Sequence, residues 1–445
     1  MTHSRLRVGI VLPQDEVRCL EMILPEGQCT INGTPRTGAF AAHLDGATIE
    51  LRGSVDCAGR RDCWTIAPVV EDESHGVTIR DCRIGRGFHW SSKVDLFLPG
   101  RVELSVAGGY LLVVNDLPAE TYLKGVITAE MSGECPMAFL KAQTIVARSW
   151  MRAAAERKHA DLNIDYCNDD CCQRYQGVSA LTDSARAAVN ETAGDVLVHA
   201  SGAIVDANYS KSCGGIVESP EAVWGHRKVG QKSAVDAPPA SEMERFFAVT
   251  RDNVREYVAG SWLERCDAYC GPRAVAEGDL GRYLGRVDDG GGHFRWRVTC
   301  AVEELEDLLR RKHFNRGEDG GNGKFHRLWD LAVVRRGRSG RATRLVIDYD
   351  DPQGKRATAT VEDQYDIRNC LHESFLYSSA FDVCIKRDDS NRPVRVDLLG
   401  AGWGHGAGMC QIGALGMALA GSDHKQILHH YFEDVTIRHS GVNDA

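Results

Sequence analysis

Glu130 closes the run Tyr122-Leu-Lys-Gly-Val-Ile-Thr-Ala-Glu130-Met131. A carboxyl group flanked by Val126, Ile127, Ala129 and Met131 can serve as a general acid and then as a base, provided a partly apolar pocket tunes its pKa. Without such a pocket, a lone Glu at a helix end is simply a solvated acid. Downstream stand His159, Cys167, Cys171 and Cys172, immediately before Gln173-Arg-Tyr175-Gln-Gly177. Thiolates and an imidazole form a zinc-type donor set, and two of the three cysteines would suffice. No second paired-ligand half follows at finger spacing, so the pattern is not a zinc finger. A disulfide or plain buried thiols are the alternatives that spacing leaves open. A closed metal site here would hold the loop that carries Gln173 and Tyr175.

Lys141 and Arg148 are seven residues apart in a strongly helical stretch, which places them on one face two turns apart. They form either a solvated basic stripe or a cationic wall for an anionic substrate. In Tyr209-Ser-Lys211-Ser-Cys213-Gly-Gly215, the alternation of a strand points Tyr209 and Lys211 to one side, before a tight Gly-Gly turn. No triad order surrounds Ser212 or Cys213, so neither is a convincing nucleophile. The run Gly402-Trp403-Gly-His405-Gly-Ala-Gly408-Met-Cys-Gln411 lacks the Gly-Lys-Ser/Thr ending of a phosphate loop. Its glycines instead allow tight backbone packing while presenting Trp403 and His405. Indole faces stack on sugars, and Trp224 could do the same, although core packing is the ordinary role of a Trp.

These residues need elements to position them. Residues 1–115 read as β-rich, with short Val/Ile/Leu runs between Gly, Pro and Asp turns and a first strand near Arg5–Leu12. Pro118-Ala-Glu120 suits a first helical turn. The strongest helix spans Pro136 to about Lys158, and a second covers Asp183–Thr192, capped at Thr182 or Asp183. Beyond them, Val196–His199 and Ala203–Tyr209 suggest a hairpin. The stretch 226–399 is a long middle region, with helices near Arg251–Ala259 and Ala301–Arg311 and a glycine-rich loop at Asn315–Lys324. It also contains β runs at Leu331–Val334, Thr343–Tyr349 and Ala357–Val361. Helices at Ile412–Ala420 and Lys425–Phe432 close the chain. The organisation is therefore α+β: 1–115 β-rich, 116–225 carrying the chemistry, 226–399 an α/β insertion, and 400–445 returning to the core.

The 445 residues, 43% apolar and 26% charged, are ample for more than one buried core. A net charge of −9 argues against a dedicated nucleic-acid binder. No apolar run reaches the length of a spanning helix, and the start lacks the regions of a secretory signal. The 16 cysteines are spread along the whole chain, which favours reduced, mostly buried thiols over a disulfide framework.

Six segments in order resemble the sporulation stage II protein D family, also called SpoIID/LytB-domain proteins. They are Tyr122-Leu-x-Gly-Val-x-x-Ala-Glu130-Met, Leu140-Lys141-Ala-Gln143 with Ala147-Arg148, Cys172-Gln173-x-Tyr175-x-Gly177, Ser210-Lys-Ser-Cys-Gly-Gly215, Val223-Trp-Gly225 and Gly402-Trp-Gly-His-Gly-x-Gly-Met-x-Gln411. The resemblance covers roughly 115–225 and 400–433. It implies a SpoIID-like core and a peptidoglycan lytic transglycosylase, a lyase that cuts glycan strands, stripped of stem peptides, to 1,6-anhydromuramyl ends. Glu130 matches the catalytic Glu. It would protonate the glycosidic oxygen and then deprotonate the muramyl 6-hydroxyl, so that one carboxylate suffices where ordinary glycosidases use two. Lys141, Arg148, Gln173, Tyr175, Tyr209, Lys211, Trp403, His405 and Gln411 become substrate-binding candidates. The cations among them suit lactyl carboxylates exposed when stem peptides are removed. Some relatives bind zinc through a His and two Cys, which map onto His159, Cys167 and Cys172 and leave Cys171 extra; that zinc would be structural. The family's alternative name implies a second role, a non-catalytic wall-binding protein that stimulates a cell-wall amidase. A third possibility, carried by the cysteines, is a cytoplasmic metal or redox protein. The sequence departs from the family pattern at Ser132, where Pro is usual, and at Ala138, where an acid is common. The implied substrate lies outside the cytoplasm, in tension with the missing export signal.

Overall fold

The computed structural model describes residues 5–55, 57, 59–88, 90–153, 157–285, 291–314 and 325–440. The glycine-rich loop expected at Asn315–Lys324 lies outside these residues. The fold is α+β, and the chain divides into two compact units. The first comprises 1–196, 282–289 and 438–445, and the second 197–281 and 290–437.

The first unit is built on an eleven-stranded sheet. Arg5–Val11 pairs antiparallel with Tyr110–Pro118, setting Val8 opposite Asn115. Tyr110–Pro118 pairs in turn with Arg101–Ala107, after which come Trp64–Pro68, Cys19–Ile31, Thr34–Asp45 and Thr48–Gly53. In Cys19–Ile31, Leu20, Met22 and Leu24 are buried between neighbours that are exposed or half-buried, the period-two signature of a sheet with one wetter face. Tyr110–Pro118 breaks that alternation. Leu111 to Val114 are all buried, as a strand covered on both faces requires.

On its far side, Arg5–Val11 takes up the two-residue strand Tyr166–Cys167 in parallel, with Gly9 opposite Cys167. A sheet edge thereby receives the cysteine segment. Helix α1, Ala119–Glu130, leaves the end of Tyr110–Pro118 directly. It packs against α2, Met137–Ala153, and α3, Asp183–Glu191. Tyr122, Leu123, Val126 and Ile127 of α1 are fully buried, as are Phe139, Leu140, Ile145 and Val146 of α2. Thr182 caps α3, accepting from the Ala185 N–H at 3.2 Å. The described part of α2 ends at Ala153, short of the Lys158 expected from composition. His159 instead begins a 3-10 turn at Ala160–Leu162.

The second unit holds two three-stranded antiparallel sheets. One orders Arg295–Ala301, Pro393–Ala401 and Phe381–Arg387, and the other Arg327–Arg336, Ala342–Asp350 and Arg356–Glu362. Helices Val302–Leu309 and Gln364–Cys370 share their core through Leu309, Leu328, Ile347, Ile367, Phe381 and Val396. The unit also contains two short pairs near the site: Tyr209–Ser210 lies parallel to Met409–Cys410, and Ile216–Val217 antiparallel to Ala234–Val235. Helix Gln411–Leu419 is buried through Met417, because its sequence is apolar on nearly every side.

Candidate active site and metal centre

Glu130 is the last residue of α1 and is 7% exposed. Its Oε1 accepts the backbone N–H of Arg174 at 3.0 Å. That N–H is held by its own side chain. The Arg174 guanidinium pairs with Asp170 at 2.5 Å and lies 4.3 Å from the centre of the Trp90 ring. The Trp90 indole N–H donates to Asp170 Oδ2 at 3.2 Å, closing a loop of three side chains. Beyond Glu130 the chain is pinned by residues 282–285: Ser132 N–H donates to the Tyr283 carbonyl at 2.9 Å. The arrangement is a carboxyl group at a helix end, nearly sealed from water and positioned by a backbone donor.

The loop that supplies this donor is anchored to the sheet. Arg86 directs Nε and Nη2 at Asp15, both at 2.7 Å, and Nη1 at Asn168 at 2.7 Å; its backbone N–H donates to Asp169 at 2.8 Å. These carboxylates hold the Arg86 guanidinium well above its ordinary pKa, against the opposing effect of burial. Arg86, Trp90, Asp170 and Arg174 carry no recognisable motif, and only the fold brings them together.

At the same loop, His159 Nε2 and the sulfur atoms of Cys167, Cys171 and Cys172 lie within 4.8 Å of one another. Cys171 Sγ is 2.9 Å from Cys167 Sγ and 3.5 Å from His159 Nε2. Cys171, extra by family pattern, thus stands inside the cluster with the three residues expected there. One imidazole and three thiols make up a zinc-type donor set, and a zinc ion held by four such ligands would supply a cross-link and no open coordination position. The cluster stands immediately before Gln173-Arg174, so a metal held there would brace the N–H that holds Glu130. Cys167→Ser/Cys172→Ser should lower the zinc content by one per chain in metal analysis. The destabilisation in urea should be on the order of 4 kcal/mol. Unchanged metal content in that variant would rule the cluster out as a site.

Other residues expected to touch substrate are engaged elsewhere. Arg148 is fully buried. It donates to both oxygens of Glu120, at 2.9 and 2.7 Å, and to the Asp195 carbonyl at 3.0 Å. Its fork is therefore filled, and the expectation of an exposed cationic wall is corrected at this position. Tyr175 is also fully buried, its hydroxyl donating to Asn115 at 2.9 Å and its ring filling the space beside Gly125. A Cβ on Gly125 would meet that ring at 2.5 Å, which explains a glycine in mid-helix. Gln173 accepts from Tyr122 at 3.3 Å and donates to the Ala147 carbonyl at 3.2 Å. Tyr175 and Gln173 hold α1, α2 and the cysteine loop together; neither presents a surface to a polymer. Lys141 differs. It is partly exposed and pairs at 2.5 Å with Glu191, whose side chain is more than half exposed. Such a pair is worth at most about 1 kcal/mol, so Lys141 can exchange partners at little cost.

In the second unit, the Gly402–Met409 run crosses the Tyr209-Ser-Lys211 segment. Trp403 N–H donates to Ser212 O at 2.8 Å, and the parallel pairing sets Tyr209 opposite Met409. Gly408 has φ +74°, and a Cβ there would lie 1.9 Å from the Asn208 carbonyl oxygen, so only glycine fits. Trp403 is buried, stacked on Tyr377 at 4.4 Å and beside His293 at 4.6 Å. It is a core residue, not an open sugar platform. Lys211 and Gln411 are buried as well. Trp224, by contrast, is exposed. Its ring lies 5.0 Å from that of His405 and 4.3 Å from Lys228 Nζ.

His405 Nδ1 accepts the Ala407 N–H at 3.1 Å, which places the imidazole proton on Nε2. Burial, reinforced by Arg341, Arg368 and Lys228, pushes its pKa down to about 3. A folded value below the ordinary 6.5 means that the unfolded chain takes up more protons on acidification. The stability contributed by neutral His405 is therefore complete above about pH 6.5 and lost progressively as pH falls from there. Urea midpoints measured from pH 7 to pH 4 should fall less steeply for His405→Gln than for the unaltered chain. Parallel slopes would contradict this environment for His405.

Comparison with known proteins places these features. A family model described as Stage II sporulation protein (SpoIID) matches residues 107–199, which contain α1, α2, α3, Glu130 and the His/Cys cluster. A second, described as a domain of unknown function (DUF8618), matches residues 283–408. An uncharacterized protein of Brachyspira hyodysenteriae is 27% identical over 327 residues, covering 74% of this chain and 68% of that protein. The amidase enhancer of Bacillus subtilis is 24% identical over 326 residues, covering 71% of this chain but 40% of that protein.

Proposed function

From a chain that carries a SpoIID domain at residues 107–199, we propose that it is a peptidoglycan lytic transglycosylase with Glu130 as its single acid/base. The observation that carries this reading is the state of Glu130: nearly buried, at a helix end, with one carboxyl oxygen held at 3.0 Å by a backbone N–H. A carboxyl so shielded and so placed is suited to pass a proton in both directions. It would protonate the oxygen between muramic acid and glucosamine. It would then accept the proton of the muramyl 6-hydroxyl as that oxygen closes on the anomeric carbon, giving the 1,6-anhydro end. No water is consumed, so no second carboxylate is needed to activate one. Lys141, whose present ion pair is weak, is proposed to meet the lactyl carboxylate of peptide-free muramic acid. Trp224 is proposed as the sugar-stacking surface of the second unit. The substrate implies work outside the cytoplasm, in the periplasm or cell wall. Incubation with defined peptide-free glycans, followed by mass identification of the chain ends, tests the reading; reducing ends without anhydro product would sink it.

The name of the B. subtilis relative supports a second reading, in which the chain binds wall glycan and stimulates an N-acetylmuramoyl-L-alanine amidase. It predicts glycan retention without anhydro product, indifferent to Glu130→Gln and weakened by Lys141→Ala.

A further inference from the structure

A second cluster of metal-ligating groups lies in the other unit, and the proposed glycan chemistry makes no use of it. Cys213, Asp236, Cys270 and Cys410 place one ligand atom each within 4.8 Å of all the others, and all four residues are buried. Two short strand pairs assemble it. Tyr209–Ser210 beside Met409–Cys410 brings Cys213 to Cys410, and Ile216–Val217 beside Ala234–Val235 brings Asp236 to both. The Tyr269 N–H, donated to the Asp236 carbonyl at 2.8 Å, carries Cys270 in.

We propose that these four residues form a closed structural site for a zinc ion, Cys213, Cys270 and Cys410 supplying thiolates and Asp236 a carboxylate oxygen. The spacing suits it. A tetrahedral zinc with Zn–S near 2.3 Å sets its sulfur atoms about 3.8 Å apart, and Cys213 Sγ and Cys270 Sγ are 3.6 Å apart. That distance is far beyond the ~2.05 Å of a disulfide. The donors around the sulfur atoms suit thiolates. Cys410 Sγ accepts the N–H groups of Cys213 at 3.2 Å and Gly413 at 3.3 Å, and Cys213 Sγ accepts that of Gly215 at 3.3 Å. A neutral thiol is a weak acceptor, whereas a metal-bound thiolate gains from such donors.

The carboxylate is oriented as a ligand. Asp236 Oδ1 accepts from Tyr431 at 2.8 Å and from His430 Nε2 at 3.1 Å, while Oδ2 lies 3.0 Å from Cys213 Sγ, turned to the cluster. This is the outer hydrogen bonding that fixes a metal-binding carboxylate. A Cβ on Gly413 would lie 2.3 Å from both Asp236 Oδ2 and Tyr431 Oη, so no larger residue fits there. With four protein ligands and no open position, the ion would cross-link four distant segments and take no part in bond cleavage. Three thiolates and a carboxylate around one divalent ion leave a charge of minus two, which the N–H donors of Cys213, Gly215 and Gly413 partly offset.

Zinc analysis of the chain carrying Cys167→Ser/Cys172→Ser, purified under reducing conditions, tests this without the first cluster. One zinc should remain per chain, and X-ray absorption at the zinc edge should give three sulfur neighbours and one light atom. Adding Cys270→Ser/Cys410→Ser should remove it. Should the first pair of substitutions prevent folding, Asp236→Asn in the otherwise unaltered chain should lower the zinc content and change the edge spectrum relative to wild type. Zinc-free protein after the first substitutions, an Asp236→Asn chain with wild-type zinc and spectrum, or a disulfide among the three cysteines in non-reducing peptide maps would each overturn the site. None of these readouts depends on glycan cleavage, so the proposal stands or falls separately from the transglycosylase reading.

Discussion

Glu130→Gln should lower release of anhydromuramyl ends from peptide-free glycan by about 10²–10⁴-fold, the range that a positioned general acid and base supplies. The amide keeps the size of the carboxyl, and its oxygen can still accept the Arg174 N–H, so folding should be nearly unaffected. Gln cannot donate a proton to a leaving oxygen or accept one from a hydroxyl. The loss should therefore appear in kcat with KM little changed. Thermal midpoints and glycan retention measured on the same preparation separate lost chemistry from lost structure. A Glu130→Gln chain with wild-type turnover would remove Glu130 from the mechanism. Arg174→Ala is the companion measurement, since it removes the Asp170 and Trp90 contacts that fix the donor N–H. It should reduce turnover less than Glu130→Gln and show a change in pH profile, because the backbone N–H survives but its position loosens.

The second large effect is on stability and concerns the pair Glu120–Arg148. Glu120→Ala should destabilise the first unit by roughly 3–5 kcal/mol, because it leaves a buried guanidinium without its partner. Arg148→Met should cost less. The Arg148 side chain is fully buried, whereas that of Glu120 is 24% exposed and can recover hydration when left alone. The double substitution Glu120→Leu/Arg148→Met should recover much of the loss, since replacing both members of a buried pair with apolar groups is often close to neutral. Urea unfolding of the three variants gives the cycle directly. Equal costs for both single changes would contradict the asymmetric burial. If Arg148 instead met substrate, Arg148→Met would weaken glycan binding at unchanged stability.

Arg148 and Glu130 both lie in ordered motifs, which imply an acid/base role for Glu130 and a substrate contact for Arg148. Helical spacing placed Lys141 and Arg148 on one face, but spacing cannot say what that face meets. At Arg148 it meets α1, whose Glu120 captures the guanidinium, while Lys141 stays partly exposed beside Glu191 of α3. The Gly402–Met409 run gave the same partial answer. Alternating glycines correctly signalled close backbone approach, yet Trp403 went into the core against Tyr377, while Trp224, a residue with a weaker motif, stayed at the surface.

What the sequence determined alone was local. The α+β class, the starts of α1 to α3 to within a turn or so, a cap at Thr182 or Asp183 and the grouping of His159 with Cys167, Cys171 and Cys172 were legible, because these depend on propensity, periodicity and short spacing. Only the tertiary structure decided that Arg174 offers its N–H to Glu130, that Arg86 and Trp90 hold that loop, and that Cys213, Asp236, Cys270 and Cys410 converge. The physical reason is sequence distance. Cys213 and Cys410 are 197 positions apart, and no local preference encodes a contact that forms only when two short strands pair and bury both residues.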